Sequence, residues 1–154
     1  MMTSLMYYSK VSPGISADEI GNIFKAARHR NMETGITGIL YSDGKWFLQV
    51  LEGVRHEVSN TYNKITKDLR HKNCVIVSVR QIEVRQFPDW SMGLIKSDPA
   101  TVDIMKGVVG TDEFVPAYFT FEQMNDLLVR FADSRLRGVI PHFKVSQAPE
   151  QQTF

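Results

Sequence analysis

Hydrophobic and polar residues follow two kinds of pattern along the chain: short apolar runs that predict strands, and spaced stripes that predict helices. The most informative stretch is 35–53, in which two apolar runs flank the turn Ser42-Asp43-Gly44-Lys45. Asp-Gly between such runs is typical of a β-hairpin, because glycine accepts the positive φ that the turn requires. Both faces of the second run are apolar, so we expect a strand that is buried on both sides.

The clearest helix is predicted to begin at Ser16 and to end at Gly35. Ser16 and Glu19 have the spacing of a capping box, in which each side chain accepts a hydrogen bond from the other residue's backbone N–H. One helical stripe then contains Ile20, Ile23, Phe24 and Ala27. The next position of that stripe is Asn31, so the inward face of this helix ends in an amide.

The other patterns predict three further strands and three further helices. Strands are expected at 4–9, 74–80 and 90–95, the last with Trp90, Met92 and Leu94 on one face, and a second helix is expected from Arg55 to Leu69. Asp98-Pro99 opens a short helix, and Thr120 with Gln123 forms the capping box of the last one.

This element order predicts an α+β fold: a ferredoxin-like βαββαββ arrangement with a mixed five-stranded sheet and two helices on one face. The C-terminal helices are expected to cover the other face. We therefore expect one domain over residues 1–97, a helical extension over 98–140 that packs on the sheet, and a flexible tail over 141–154, where Gln, Ser, Pro and Glu are frequent.

Composition narrows the class of protein. The 154 residues carry a formal net charge of +1, and the basic residues are scattered, so we expect no nucleic acid and no membrane as a partner. The single cysteine excludes an intramolecular disulfide. No signal peptide and no membrane-spanning apolar run is visible, so a cytoplasmic protein is expected.

Motifs for catalysis are missing from the sequence. There is no nucleophile elbow, no zinc-protease motif and no phosphate-binding loop, and the four histidines do not have metal-ligand spacing. We expect a protein that is not an enzyme, has no catalytic residues and holds no metal.

Three polar residues lie where their patterns require apolar ones: Tyr8, Asn31 and Gln49. An unpaired buried amide costs roughly 1–3 kcal/mol, so each amide requires a partner. One interpretation is a heteroaromatic ligand whose edge carries C=O and N–H groups, with Arg30 and Arg70 nearby. The other is purely structural: a tyrosine at the core rim, an asparagine that caps its helix, and a glutamine satisfied by the backbone.

These same residues resemble the BLUF family, blue-light sensors that use FAD. The resemblance covers residues 4 to about 96 and is carried by Tyr8-Ser9, Asn31 ahead of Gly35-Ile-Thr-Gly38, Phe47-Leu-Gln-Val-Leu-Glu-Gly53, Asp68-Leu-Arg-His71 and Phe87-Pro-Asp-Trp-Ser-Met92. The chain looks like the short, stand-alone type of that family with a C-terminal helical extension.

The resemblance implies a flavin between the first two helices, with FAD as the cofactor and FMN or riboflavin as substitutes. The cofactor-binding residues would be Ile23, Phe24, Arg30, Asn31, Gln49, Arg70 and His71. Tyr8 and Gln49 would be the photoactive pair: Tyr8 gives up an electron on illumination, and the proton moves through Gln49. Trp90 and Met92 would relay the resulting change.

The resemblance also implies signalling to a downstream effector or regulator protein, with a homo-oligomer expected. Two other classes remain open at this point. A ferredoxin-like interaction module without cofactor would explain the fold but not the two amides. A small flavin oxidoreductase would need a substrate cavity in the space that Gln49 fills.

Overall fold

A mixed five-stranded sheet forms the centre of the protein, which a computed structural model describes from residue 1 to residue 138. Its strands are β1 (Met2–Val11), β2 (Thr37–Ser42), β3 (Trp46–Val54), β4 (His71–Ile82) and β5 (Gly93–Lys96). Their order is β4-β1-β3-β2-β5, and all neighbours are antiparallel except β2 and β5. This arrangement confirms the predicted fold class. The tail predicted for 141–154 lies outside the described residues.

Helices cover both faces of the sheet. The first pair is α1 (Ala17–Thr34) and α2 (Arg55–Thr66), and the second is α3 (Pro99–Val109) and α4 (Phe121–Gly138). The core on the α1/α2 side includes Leu5, Tyr7, Ile23, Phe47, Leu51, Val58 and Ile65. The core on the α3/α4 side includes Met6, Leu48, Val50, Met105, Leu127 and Phe131. Successive residues of β3 thus enter two different cores, as its doubly apolar pattern predicted.

The ends of α1 fix the position of Asn31. At the N-terminus, the Glu19 backbone N–H donates to Ser16 Oγ over 3.2 Å, and the Ser16 N–H donates to Glu19 Oε1 over 3.4 Å. At the C-terminus, Gly35 adopts φ 72°, and its N–H donates to the Asn31 carbonyl. Both caps were predicted, and Asn31 is fully buried on the last turn.

Three element boundaries differ from the prediction by three residues, and the others by no more than two. Helix α2 ends at Thr66 rather than Leu69, and Leu69 is 89% exposed. The Asp68 carboxylate accepts a hydrogen bond from the Arg70 backbone N–H over 2.9 Å, which turns the chain so that β4 already begins at His71. Strand β5 begins only at Gly93, so Trp90 and Met92 lie in the connection that precedes it.

Candidate functional site

Gln49 lies in the middle of β3, on the α1/α2 side, and is only 3% exposed. Tyr7 is directly opposite Gln49 in the β1–β3 pair, and its phenol Oη donates a hydrogen bond to Gln49 Oε1. At the other end of the amide, Nε2 donates to Met92 Sδ over 3.4 Å. The buried amide therefore has a partner at each end.

The prediction that Tyr8 is the partner of Gln49 is wrong. Consecutive residues of a strand point to opposite faces of the sheet, and β1 turns Tyr8 towards α3 and α4. Tyr8 is opposite Leu48 in the register, and its ring packs against Trp46 with the centroids 5.9 Å apart. Tyr7 occupies the place that was expected for Tyr8.

Tyr7 is enclosed by other rings. Its ring centroid lies 5.3 Å from that of Tyr62 and 6.3 Å from that of His71. Burial, supported by the nearby Cys74 and Tyr62, raises the pKa of the Tyr7 phenol well above its ordinary value. The phenol is therefore protonated at neutral pH, as a hydrogen-bond donor to Gln49 must be.

Two neighbouring residues of α1 carry buried polar atoms without a partner. Asn31 donates from Nδ2 to the Ser91 carbonyl over 2.9 Å, but its Oδ1 accepts no hydrogen bond. The Nε of Arg30 is likewise buried and without an acceptor. An unsatisfied buried polar group costs about 1–3 kcal/mol. A ligand that carries an N–H donor and a carbonyl acceptor, as a flavin does, has the kinds of partner that these two atoms lack.

A pocket opens between α1 and the segment that joins α2 to β4. It is lined by Ile23, Ala26, Ala27, Arg30, Gln49, Lys64, Ile65, Asp68, Arg70 and His71. Five of the predicted cofactor-binding residues are in this lining, and Asn31 is on the adjoining turn of α1. Phe24 does not line the pocket but is half-buried against the α1/α2-side core.

The enclosed volume is about 40 Å³. Pockets for drug-sized ligands enclose roughly 300–1,000 Å³. A three-ring ligand therefore enters only if side chains that line the pocket move outward.

The lining includes residues that were not predicted, among them Lys64, Ile65 and Asp68. Ile65 is one of the buried residues of α2, so its place in the pocket follows from the packing of α2. Asp68 forms a bidentate ion pair with Arg70, with Nη2 2.6 Å from Oδ2 and Nε 2.9 Å from Oδ1. The hydrogen bond from Arg70 lowers the pKa of Asp68, and the Asp68 carboxylate raises the pKa of Arg70.

His71 is a buried, neutral member of the pocket. Its Nδ1 lies 2.9 Å from Ser9 Oγ, and its ring centroid lies 4.5 Å from that of Phe47. Burial, reinforced by Arg70 and Arg30 and opposed by Asp68, lowers the pKa of His71 to about 4. His71 carries no charge at pH 7. The charge of the pocket is therefore set by the cations of Arg30, Lys64 and Arg70 and by the Asp68 carboxylate.

The expectation that Trp90 shares a face with Met92 is wrong. Trp90 packs against the α3/α4-side core, whereas Met92 belongs to the α1/α2 side. The alternation rule fails here because the chain is not yet in β5. The Trp90 ring lies against Gly93, where an added Cβ would come within 2.7 Å of the indole.

No group of three or more His, Cys, Asp or Glu side chains within residues 1–138 could hold a metal ion. In the same part of the chain, no helix is both long and apolar enough to cross a membrane.

Comparisons with known proteins point to the same family. The family model described as "BLUF: Sensors of blue-light using FAD" matches residues 2–93. The chain is 34% identical over 94 residues to the blue light- and temperature-regulated antirepressor BluF of Escherichia coli, a match that covers 61% of this chain and 23% of that protein. It is 29% identical over 126 residues to the photoactivated adenylate cyclase subunit beta of Euglena longa, covering 75% of this chain and 15% of that protein.

Two solved structures resemble the whole described fold. BlsA in its photo-activated state has a TM-score of 0.77 at 26% identity, covering 85% of this chain and 94% of that one. The dark-state structure of BlrB, a BLUF protein, has a TM-score of 0.71 at 27% identity, covering 87% of this chain and 96% of that one. Against the two curated relatives above, by contrast, the match spans less than a quarter of their length. The family match covers more than half of the 154 residues, and the chain belongs to the BLUF family, the sensors of blue light that use FAD.

Proposed function

We propose that this protein is a blue-light photoreceptor that holds flavin non-covalently in the pocket between α1 and α2 and signals by rearranging the hydrogen bonds around Gln49. The observation that carries the proposal is the placement of one buried amide between the Tyr7 phenol and the Met92 thioether. This amide lines the same pocket as Arg30, Arg70 and His71.

Different residues of the site would bind different groups of the flavin ring. Asn31 Oδ1 would accept a hydrogen bond from the imide N–H, and Arg30 Nε would donate to a neighbouring carbonyl, which satisfies both orphaned atoms. Arg70 would supply a further cationic donor, and Ile23 an apolar wall. Bound flavin supplies the absorption of blue light and the capacity to accept one electron. FAD is the expected form, with FMN or riboflavin as substitutes.

Tyr7 and Gln49 would carry the photochemical change. Loss of an electron from the Tyr7 phenol makes its Oη proton strongly acidic. That proton then moves along the existing hydrogen bond to Gln49 Oε1. When the electron returns, Gln49 Oε1 gives the proton back to the phenol, but the amide can remain rotated.

Rotation of the amide would break its contact with Met92. In the structure, Oε1 faces a donor and Nε2 faces an acceptor, so the observed orientation satisfies both ends. After a half-turn, Oε1 would face the Met92 sulfur, and a thioether cannot donate a hydrogen bond. Two acceptors, Gln49 Oε1 and Met92 Sδ, would then be in contact, so the segment that carries Met92 would have to move. The amide is thus a two-position element whose change extends beyond the pocket.

The signal would leave through protein contacts. We assign residues 1–97 to the sensor domain and residues 98–140 to an output extension, because α3 and α4 pack on the sheet face opposite the pocket. The protein would act in the cytoplasm on an effector or regulator protein, or through its own oligomerisation, without enzymatic activity of its own. If the protein were instead an interaction module without a cofactor, the buried Asn31 Oδ1 and Arg30 Nε would have no ligand to act as their hydrogen-bond partner.

The absorption spectrum of the purified protein tests this function. We expect protein-bound flavin, a small red shift of its visible absorption under blue light, and recovery in the dark. Free FAD in the same buffer is the control and should show no such shift. A protein that is colourless and does not bind added FAD would exclude the proposal, and so would bound flavin whose spectrum does not change on illumination.

A further inference from the structure

Glu52 is a buried carboxylate that takes no part in the photochemistry described above. It lies three residues after Gln49 in β3 and is 1% exposed. Its Oε1 accepts a hydrogen bond from the Phe87 backbone N–H over 2.7 Å, and its Oε2 accepts one from the Gln86 N–H over 3.1 Å. Gln86 and Phe87 belong to the irregular connection between β4 and β5. Each carboxylate oxygen therefore fixes one residue of that connection.

Other contacts hold the same connection at both ends. The guanidinium of Arg85 donates from Nη1 to Thr37 Oγ1 over 2.8 Å and to the Glu52 carbonyl over 2.9 Å. Further along, the Gly38 N–H donates to the Trp90 carbonyl over 3.1 Å. Glu52 thus meets the connection twice, with its backbone carbonyl and with its side chain. It is the anchor nearest in sequence to Gln49.

The connection carries two groups that form hydrogen bonds with residues of the proposed flavin site. The Ser91 carbonyl accepts from Asn31 Nδ2 over 2.9 Å, and Met92 Sδ accepts from Gln49 Nε2 over 3.4 Å. On the other side of the sheet, Phe87 is buried in the same core as α3 and α4. The short segment from residue 86 to residue 92 therefore touches both the proposed flavin site and the C-terminal helices.

A carboxylate at this place is costly, which suggests that its two acceptors are needed. Burial raises the pKa of Glu52, and the hydrogen bonds from Phe87 and Gln86 only partly offset that effect. A buried charged group is normally tolerated only where it is hydrogen-bonded or paired. A glutamine would present one acceptor, but its NH2 group would face a backbone N–H that also donates. The geometry thus selects a side chain with two equivalent acceptor oxygens.

We propose that Glu52 is a positioning residue of the photoreaction: it fixes the segment 86–92 so that Met92 Sδ meets Gln49 and the Ser91 carbonyl meets Asn31. The inference rests on the proposed function, in which the contact between Gln49 and Met92 is the one that light changes. Glu52 itself touches neither reacting group. It acts through the backbone of the connection.

The variant Glu52→Gln tests this role, with Glu83→Gln as the matched control, because Glu83 is an exposed glutamate at the start of the same connection. We expect Glu52→Gln to retain flavin but to change the rate of dark recovery by about fivefold or more, as expected for coupled neighbours. Glu83→Gln should recover like the unmodified protein. A purely structural role would lower the unfolding temperature of Glu52→Gln and leave its recovery rate unchanged, and that result would overturn the proposal.

A double-mutant comparison tests whether Glu52 affects the rate of dark recovery through Met92. In a Met92→Leu background the sulfur acceptor is gone, so adding Glu52→Gln should change the recovery rate by much less than it does alone. If the two changes multiply independently, Glu52 does not act through Met92, and the proposal is wrong.

Amide hydrogen exchange provides a test that requires no light response. In the unmodified protein, the Gln86 and Phe87 amides should exchange slowly although they lie outside the strands, because Glu52 accepts from both. Exchange at the rate of an open chain would overturn the positioning role, even where Glu52→Gln fails to fold. Slow exchange in a protein without a light response would support the anchor and count against the photoreceptor function alone.

Discussion

The Tyr7 phenol donates a hydrogen bond to the side-chain amide of Gln49 across the β1–β3 pair, and this contact fixes the orientation of the amide. Because the phenol donates its proton here, it faces the carbonyl end of the amide, so Nε2 is directed to Met92 Sδ, 3.4 Å away. The orientation of Gln49 is therefore determined by its neighbours on either side. The amide thus connects the phenol and the sulfur through one rigid group.

Replacing Tyr7 with phenylalanine removes the proposed electron and proton donor and leaves Gln49 Oε1 without the phenol as its partner. We expect Tyr7→Phe to retain flavin and to lose the light-induced shift. We also expect the free energy of unfolding to fall by about 1–3 kcal/mol. Light-minus-dark absorption spectra and urea unfolding measure the two effects.

The matched control is Tyr8→Phe, since Tyr8 is the next residue of β1 but lies on the other face of the sheet against Trp46. Its light response should match that of the unmodified protein. An undiminished shift in Tyr7→Phe, or a lost shift in Tyr8→Phe, would contradict the assignment.

Asn31 is expected to govern flavin affinity rather than photochemistry. Asn31→Ala removes the orphaned Oδ1 acceptor and also the hydrogen bond from Nδ2 to the Ser91 carbonyl. One lost hydrogen bond of about 1.4 kcal/mol weakens binding about tenfold, so the dissociation constant for FAD should rise by that factor or more. Fluorescence titration measures it. The exposed Asn63 of α2 provides the control variant Asn63→Ala, and equal affinities of the two variants would exclude Asn31 from the site.

Much of the fold could be predicted because its signals are local. The hairpin turn with Gly44 at φ 88°, the capping box of Ser16 and Glu19, and the buried amide of Asn31 all depend on residues within a few positions of one another. Doubly apolar patterns in β3 also predicted helices on both faces of the sheet. These features required no knowledge of long-range contacts.

The choice between Tyr7 and Tyr8 could not be made from the pattern alone. A shift of one residue in strand register exchanges the two faces, and the chain has tyrosine at both positions. Trp90 was misplaced for a related reason, because strand alternation does not apply in the irregular connection before β5. Glu52 was not among the predicted site residues. Its partners are backbone N–H groups 34 and 35 residues away, which leave no trace in the sequence.

Gly93 is required for the position of Trp90. A methyl group at residue 93 would lie 2.7 Å from the indole Cε3 and 3.3 Å from Ile39 Cγ1, so the indole must move. We expect Gly93→Ala to reduce the free energy of unfolding by about 1–3 kcal/mol, as overpacking usually does. Urea unfolding followed by tryptophan fluorescence reports both the stability and the displacement of the indole.

At Gly107, in contrast to Gly93, we expect a substitution by alanine to increase stability. It lies in α3, and a Cβ at this position would meet nothing within 4 Å. Gly107→Ala should therefore stabilise the protein by about 0.5–1 kcal/mol, since alanine loses less conformational freedom in a helix. Equal effects of the two substitutions would show that the contact between Trp90 and Gly93 is not a constraint.

His71 should make the protein less stable in weak acid. Its pKa is about 4 in the folded protein and about 6.5 in an unfolded chain, so the unfolded state binds more protons between these values. The free energy of unfolding therefore falls as the pH is lowered through this window. Integration between pH 7 and pH 5 gives a loss of about 2 kcal/mol from this one group.

The variant His71→Gln isolates that contribution, because glutamine can still form a hydrogen bond with Ser9 Oγ but does not titrate. Urea unfolding at pH 7 and pH 5 should show a loss for the variant that is smaller by about 2 kcal/mol than for the unmodified protein. His29→Gln changes an exposed histidine of α1 and should retain the full loss. An unchanged loss in His71→Gln would mean that His71 is protonated in the folded protein at pH 5. The ring would then have an anionic or solvent partner that offsets the lowering of its pKa by Arg30 and Arg70. The pocket would also carry one more positive charge in weak acid than it does with a neutral imidazole.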